Sequence, residues 1–304
     1  MEIELTHCDL CNGSEYSQLF PASPLCENID PQIYYSERRT SDVHFSILKC
    51  KSCGLIRSSA FDGDLPRVFI PQNYVTNPFA NKRNQIKTLQ KWIHPISNEA
   101  ILGGTLLDIG CSGGIFIAEA MRLGWQAVGI DSSEKAASNA QQFAPWAKIY
   151  VSPVESAIFP AQSFRVITYW DGFAQVKSPK KALQRLTPWL VPGGNLLFTI
   201  PNIQSPSAKI LGAGWSSLLR ENSWYFSPNQ IKELLKDNGY DHISFHPAPI
   251  FVSSEDLSKR LRFTAGINKQ FGHLINLTRV FNHLSYWVNS GNMLVTARLK
   301  EINE

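Results

Sequence analysis

The sequence predicts an α/β fold on an open sheet, and three features carry that expectation. A short apolar run, Thr105-Leu106-Leu107, leads into a glycine turn, Asp108-Ile-Gly-Cys-Ser-Gly-Gly114. A second apolar run, Gln126 to Ile130, ends on an acid, Asp131. Between them, Ile115, Phe116, Ala118, Met121 and Leu123 recur at helical spacing up to Gly124. Strand, glycine turn, helix, strand and acid in this order mark where a nucleotide-like cofactor lies across a parallel sheet.

Leu106 to Ile109 is too short for a helix and reads as a buried strand. Glycines at 110, 113 and 114 permit unusual backbone angles and close approach to a ligand. Gly124 reads as a C-cap glycine, and Ser132-Ser133 supply N-cap chemistry for the next helix. An acid at the position of Asp131 can accept hydrogen bonds from both hydroxyls of a ribose. The bland reading is a strand-to-helix turn in an ordinary α/β domain, and Asp131 in its proper place weighs against it.

Ahead of this core stand two knuckles, Cys8-Asp-Leu-Cys11 and Cys50-Lys-Ser-Cys53. Each spacing lets two thiolates meet one Zn²⁺, and the four together complete a closed tetrahedral structural site. The gap of about forty residues exceeds that of compact fingers. It predicts a zinc ribbon with an inserted hairpin, in which Val43 to Leu48 alternates as a strand. The competing reading is four unligated thiols or redox pairs. Cys26 and Cys111 stand alone and read as buried small side chains, with His7 exposed rather than ligating. After the knuckles come Phe69 to Tyr74 and a helix over Lys82 to Ile93, with Ile86, Leu89 and Ile93 on one face.

Past the core strands, Ser227-Pro228 opens a helix with Ile231, Leu234 and Leu235 inward and Gly239 at its end. Tyr240 to Phe245 alternates as a strand, and Asn292 to Arg298 reads as the final one. Between them, Ser253 to Trp287 is rich in Leu, Phe and Arg at helical spacing. It could be a lid over the substrate, a homodimer surface or, with Lys259, Arg260 and Arg262 near Leu261 and Phe263, a membrane-lying helix pair. The expected organisation is residues 1–75 as ribbon and linker, 76–250 as core, and 251–304 as a helical insertion with the last strand.

A chain of 304 residues can hold one large domain and a small one. Its net charge of +4 permits an anionic substrate but is not the dense basic footprint of a nucleic-acid binder, so no nucleic-acid partner is expected. Met1 to His7 lacks a basic region followed by a long apolar stretch, and no window approaches a bilayer span. No signal peptide or transmembrane segment is therefore expected. Six cysteines in such a chain point to a reducing, cytoplasmic setting where paired cysteines mean metal more often than disulfide.

With these motifs in place, the chain resembles the class I S-adenosylmethionine-dependent methyltransferases. Asp108 to Gly114 is similar to their first motif, acid-x-Gly-x-Gly-x-Gly, with Ser112 in the middle glycine slot. Asp131 matches the ribose-binding acid, Val154-Glu155 to Pro160 the segment lining the adenine, and Phe164 to Trp170 the fourth strand. Leu190-Val-Pro-Gly-Gly194 resembles the family's turn into its fifth strand, which argues against a nicotinamide enzyme. The resemblance implies a Rossmann-like, mostly parallel sheet whose last strand is antiparallel, with S-adenosylmethionine held by Asp108, Gly110, Ser112, Gly114, Asp131, Ser132, Val154, Glu155 and Trp170. Tyr74 and Arg83 stand where members bring an aromatic or basic group over the cofactor; a packing aromatic and a solvated charge are the plainer readings.

A zinc ribbon ahead of this core resembles the group acting on sugars and glycans, including sugar-nucleotide C-methyltransferases, which implies a sugar-like small-molecule substrate and a structural zinc. That group carries Trp-His-x-x-Glu-His after the fourth strand and a later His before Tyr-x-Phe-Ser. Here the stretches read Trp170-Asp171-Gly-Phe-Ala174-Gln175 and Arg220-Glu-Asn222-Ser-Trp224-Tyr225-Phe-Ser227. Asp171 replaces the first His, Ala174 and Gln175 replace Glu-His, and Asn222 stands near the later His. Two readings follow. Either chemistry persists with Asp171 as base and Gln175, Asn222 and Tyr225 orienting substrate, or the chain binds cofactor or its product without transfer, as a sensor or partner. Asp171 could equally cap the next turn. RNA methylation is a third reading, against which the modest charge weighs.

Overall fold

The computed structural model describes residues 7–23, 44–59, 82–94, 104–253 and 285–301. Three short strands open the chain: β1 (Tyr16–Phe20), β2 (Ile47–Cys50) and β3 (Ile56–Ser58). β1 and β2 pair antiparallel, as do β2 and β3, so the knuckle at Cys50 and Cys53 is the turn between two strands. The expected alternating strand at 43–48 is shifted toward the knuckle, beginning at Ile47, whose side chain is fully buried. Helix α1 (Lys82–Ile93) follows over the expected span, burying Thr88, Trp92 and Ile93.

The core then alternates. β4 (Thr105–Ile109) feeds the glycine turn and α2 (Ile115–Arg122), and β5 (Gln126–Asp131) feeds α3 (Glu134–Phe143) and β6 (Lys148–Val151). β7 (Phe164–Tyr169) passes through a 3-10 turn at Phe173–Gln175 into α4 (Pro179–Leu186), and β8 (Leu190–Pro201) leads to α5 (Pro206–Leu211). The short β9 (Trp224–Tyr225), α6 (Pro228–Asp237), β10 (Tyr240–Pro247), β11 (Ile250–Ser253), β12 (Ser285–Val288) and β13 (Asn292–Leu299) complete it.

Seven strands form the main sheet in the order β10-β13-β8-β7-β4-β5-β6. β4 pairs parallel with β5 and β7, β5 with β6, and β7 with β8; β13 runs antiparallel to both β8 and β10. Leu106, Leu107, Val166, Ile167, Leu196 and Leu197 are fully enclosed, which is why these strands read as continuous apolar runs rather than alternating ones. One face carries Leu107, Ile109, Phe173, Phe198, Leu183 and Ile231; the other carries Leu106, Phe116, Ile117 and Trp125.

Local chemistry sets the helix ends. Ser133 and Ser178 cap α3 and α4, and Ser227 with Gln230 forms a reciprocal capping box on α6 behind Pro228. α2 ends with Gly124 N–H on the Met121 carbonyl and Trp125 N–H on that of Ala120, a Schellman closure requiring the positive φ that Gly124 adopts.

Two expectations change here. Residues 285–287, read at helical spacing, belong to β12 and pair with β11, because Tyr286, Trp287 and Val288 face Val252, Phe251 and Ile250 and such residues favour a pleated surface. Most of the expected helical insertion, residues 254–284, lies outside the described residues, as do Tyr74 and Cys26. The small sheet also crosses the expected boundary: its order is β1-β2-β3-β9, so its fourth strand comes from residues 224–225 of the core.

Candidate functional site

Strand order reverses at β4 and β7: the chain moves to β5 and β6 on one side, then returns to β7 and moves to β8 on the other. Such a switch leaves a crevice at the carboxyl ends of the two central strands, where ligands of open α/β sheets bind. The glycine turn leaves β4 there. Gly110 and Cys111 donate their amides to the Ile130 carbonyl at 2.8 and 3.0 Å, drawing the turn across to the end of β5.

Asp131 completes the turn. Its Oδ2 accepts from the Ser112 amide and its Oδ1 from the Ser133 amide, both at 2.9 Å. The carboxylate thus joins the glycine turn to the N-terminus of α3. Burial raises its pKa, and the two amides oppose the rise. Ser112, in the expected middle glycine slot, is exposed and adopts a left-handed φ of 49°. Gly114 caps α2 at φ 78°, and a Cβ there would lie 2.8 Å from the Ala140 Cα, so the glycine lets α2 and α3 approach closely.

Asp108 is 1% exposed and opposite Thr168 on β7, whose hydroxyl donates to its Oδ1 at 2.7 Å. Burial pushes its carboxyl up to about 8; the Thr168 bond opposes this and the charge of Asp131 adds to it. Cys111 is buried, and burial with the charges of Asp108 and Asp131 pushes its thiol up, as suits an inert packing residue.

The other expected cofactor residues are scattered around this centre. Val154 is buried after β6, while Glu155 and Ser132 are exposed on their turns. Trp170 is half-buried with its ring 5.4 Å from that of Trp92 and 5.1 Å from that of Phe116, an aromatic cluster joining β7 to α1 and α2. Arg83 is exposed on the first turn of α1.

Across the crevice, Asp171 follows β7, exposed and left-handed at φ 54°. Its amide donates to Thr199 Oγ1 at 2.8 Å, and the Thr199 hydroxyl donates back to Asp171 Oδ1 at 2.8 Å. Gln175 Nε2 donates to the Asp171 carbonyl at 3.2 Å. The Tyr169 ring lies between the two halves of the site: Cβ atoms placed on Gly110 and Gly172 would stand 3.7 and 2.2 Å from its Cε2.

Asp171 and Gln175 are therefore brought together, and the segment carrying Asn222 and Tyr225 meets their loop through the Ser223 amide on the Ala174 carbonyl at 2.8 Å. Asn222 is buried and its Nδ2 donates to the Ser217 carbonyl at 3.1 Å. Tyr225 is fully buried in β9, its hydroxyl shared between the Leu219 and Asn222 carbonyls at 3.3 Å each, with burial pushing its pKa up. The Asn222 amide nitrogen and the Tyr225 hydroxyl thus hold the 217–225 segment together. Sequence reasoning missed Thr168 and Thr199, each a hydroxyl in an apolar strand, which is the signal that a buried partner exists.

The four knuckle cysteines converge. Their Sγ atoms all lie within 4.8 Å of one another, with Cys8 to Cys53 at 3.5 Å and Cys11 to Cys50 at 3.6 Å. A tetrahedral zinc with bonds of about 2.3 Å needs sulfurs about 3.8 Å apart, so the set fits a single tetrahedral ion. Burial resists a lower pKa at Cys50, but the Cys53 and Ser52 amides and neighbouring thiols outweigh it and hold it at about 7; burial pushes Cys8 up.

The chain is 31% identical over 135 residues to a ubiquinone biosynthesis O-methyltransferase of Albidiferax ferrireducens, covering 42% of this chain and 52% of that protein. It is 26% identical over 158 residues to the enzyme of the same name from Roseobacter denitrificans, covering 48% of this chain and 64% of that protein. The chain thus spans about half to two thirds of these relatives. Among solved structures, an S-adenosylmethionine-dependent methyltransferase of Thermotoga maritima, described as a possible histamine N-methyltransferase, superimposes with a TM-score of 0.50 at 15% identity, covering 75% of this chain and 97% of that one. At that identity the likeness concerns the fold. The family model of a methyltransferase domain matches residues 81–244, more than half of the chain and both sides of the crevice, and this protein belongs to the class I S-adenosylmethionine-dependent methyltransferases.

Proposed function

We propose that the protein transfers a methyl group to a sugar-like small molecule, a sugar nucleotide or glycan precursor, with Asp171 as the proton acceptor and a structural zinc on Cys8, Cys11, Cys50 and Cys53. The observation that carries the catalytic part is the hold on Asp171. An exposed carboxylate just past the end of β7, in a left-handed conformation and locked by the fully buried Thr199 of β8, is a strained residue that its surroundings over-determine.

The cofactor, when bound, supplies an electrophilic methyl on a sulfonium, so the protein has to align the acceptor and take its proton. Asp131 would exchange its hold on the Ser112 amide for ribose hydroxyls, and the backbone of Gly110 to Gly114 would lie along the rest of that ligand. Asp171 would accept the acceptor's proton, and Gln175 steadies the loop that carries it. Support for a sugar-like acceptor is the cysteine module ahead of the core, as in the glycan-acting group this chain resembles. A phenolic acceptor is the second reading, favoured by the relatives' names in ubiquinone biosynthesis.

Calorimetry is expected to find S-adenosylmethionine binding that Asp131→Ala weakens severely; unchanged affinity in that variant overturns the site. S-adenosylhomocysteine release, followed across panels of sugar nucleotides and of catechols, decides the acceptor class. Product formed by the parent and lost in Asp171→Asn supports the base assignment. Cofactor binding with no product from either panel supports instead a non-catalytic sensor or partner.

A further inference from the structure

The loop carrying Asp171 has little structure of its own, since between β7 and α4 the chain makes only the turn at Phe173–Gln175. Besides the Thr199 lock, it is held by the amino-terminal module and by the β9 segment paired to it. Asp9, inside the first knuckle, accepts from the Ser178 hydroxyl and from the Lys180 amide, the latter at 2.8 Å. Its carboxylate therefore sits on the N-terminus of α4, where the helix dipole favours a negative charge. Trp224 Nε1 donates to the Val176 carbonyl at 2.9 Å, and the Ser223 amide donates to that of Ala174 at 2.8 Å. The Ser223 carbonyl in turn accepts from Ser58 at 2.9 Å, where β9 pairs with β3. On the second knuckle, the Cys53 carbonyl accepts from Gln230 Nε2 at 3.2 Å.

Packing follows the same route. Cys8, Cys50 and Leu55 share one core with Phe173, Ala174, Val176 and Trp224. The guanidinium of Arg57, fully buried on β3, stacks 5.4 Å from the Tyr16 ring and 5.7 Å from that of Trp224. Loop positions 178 and 180 thus bond a cysteine knuckle directly, and 174 and 176 reach the strand that follows the second knuckle through Ser223 and Trp224. The glycine turn and Asp131 are fixed otherwise, by β4–β5 pairing and by the amides of Ser112 and Ser133.

We infer that Asp9 is a positioning residue for the Asp171 loop, and that metal loading of the four-cysteine cluster sets that loop through Asp9 and Trp224 while leaving the cofactor half unchanged. The inference rests on the proposed reading of the cluster as a metal site. It gives the module a role in catalysis without contact with the reacting atoms: the knuckle is a clamp on the substrate side.

Hydrogen exchange on the full chain tests it, using zinc-loaded protein, chelator-stripped protein, and zinc-loaded Asp9→Ala and Asp9→Asn with metal content assayed in each. Residues 172–180 are expected to exchange about tenfold faster in stripped protein and in Asp9→Ala, with 105–135 within about twofold of the parent. Asp9→Asn keeps an acceptor oxygen and should recover most of the protection. S-adenosylhomocysteine affinity should stay within about twofold throughout, and kcat should fall in Asp9→Ala with KM for S-adenosylmethionine unchanged. Unchanged exchange at 172–180 in metal-replete Asp9→Ala overturns the positioning role. Metal lost on stripping with 172–180 still protected overturns the coupling to metal. Protein that holds no zinc, with Asp9→Ala still loosening 172–180, refutes the metal reading and upholds Asp9. Should stripping also unfold 105–135, metal loading acts globally and the selective coupling falls, while the Asp9 variants still decide the positioning role.

Discussion

Two buried threonines hold two aspartates with opposite consequences. Thr168 and Thr199 are both fully enclosed. Thr168 meets a carboxyl that is itself sealed in the sheet, and there desolvation wins: Asp108 is pushed from 3.8 up to about 8. The folded state then keeps a proton that the unfolded chain has released, so between about pH 4 and pH 8 it binds more protons and loses stability as pH rises through that window. Asp108→Asn keeps the acceptor for Thr168 and removes the titration. Thermal melts from about pH 5 to pH 8 should therefore fall less in the variant than in the parent; parallel slopes would refute the burial argument. Thr199 meets a carboxylate at the surface and supplies geometry instead. Thr199→Val leaves the Asp171 amide and Oδ1 without this partner, and because Asp171 is exposed water can take its place, so the change loosens the carboxylate rather than the fold. Turnover should drop by about tenfold or more with S-adenosylmethionine affinity unchanged, and Thr199→Ser should restore it. Equal turnover in Thr199→Val would show that the lock is incidental.

At the scale of elements, the glycine turn is where sequence and packing agree most closely. Gly114 needs both its positive φ and its missing Cβ, because α3 passes with the Ala140 Cα and carbonyl oxygen within 3.0 Å of where a methyl would stand. Both contacts are backbone and neither can swing aside, so Gly114→Ala should destabilise by about 1–3 kcal/mol and loosen cofactor binding as α2 shifts. Denaturant titration with the slope held constant measures the first effect, and a loss under about 0.5 kcal/mol would mean α3 yields. The turn, both flanking strands, the Gly124 closure and the Ser133 and Ser227 caps were legible because each depends on residues within a few positions of one another. Residues 285–287 were misread for the converse reason. A run as short as Ser285 to Val288 has no resolvable period, and its partner, 250–253, lies more than thirty positions away.

The same contrast governs the whole molecule. The glycine turn and Asp131 are assembled from one continuous stretch, 108–133, and could be read from a line of text. The Asp171 loop draws its holds from Asp9, Thr199 and Trp224, with Arg57 packed behind Trp224, residues that only strand order brings together. Asn222 and Tyr225 show the effect of that distance: β9 is drawn into the small sheet, and the Asn222 amide nitrogen and Tyr225 hydroxyl bond carbonyls of residues 217–222. The small sheet is thus shared property, three strands from the first fifty-eight residues and a fourth from the core. Removing residues 1–59 would uncover Trp224, Tyr225, Trp215 and Leu218, each at most 1% exposed, and leave β9 an unpaired edge. Large buried aromatics each contribute about 1.5–3 kcal/mol, a large share of a net stability of about 5–15 kcal/mol. The truncated chain should express mostly as aggregate, and any soluble fraction should bind an apolar dye and melt well below the parent. A soluble fragment with the parent's melting temperature would mean that the module is an appendage after all, and the clamp drawn from Asp9 to α4 would lose its structural basis.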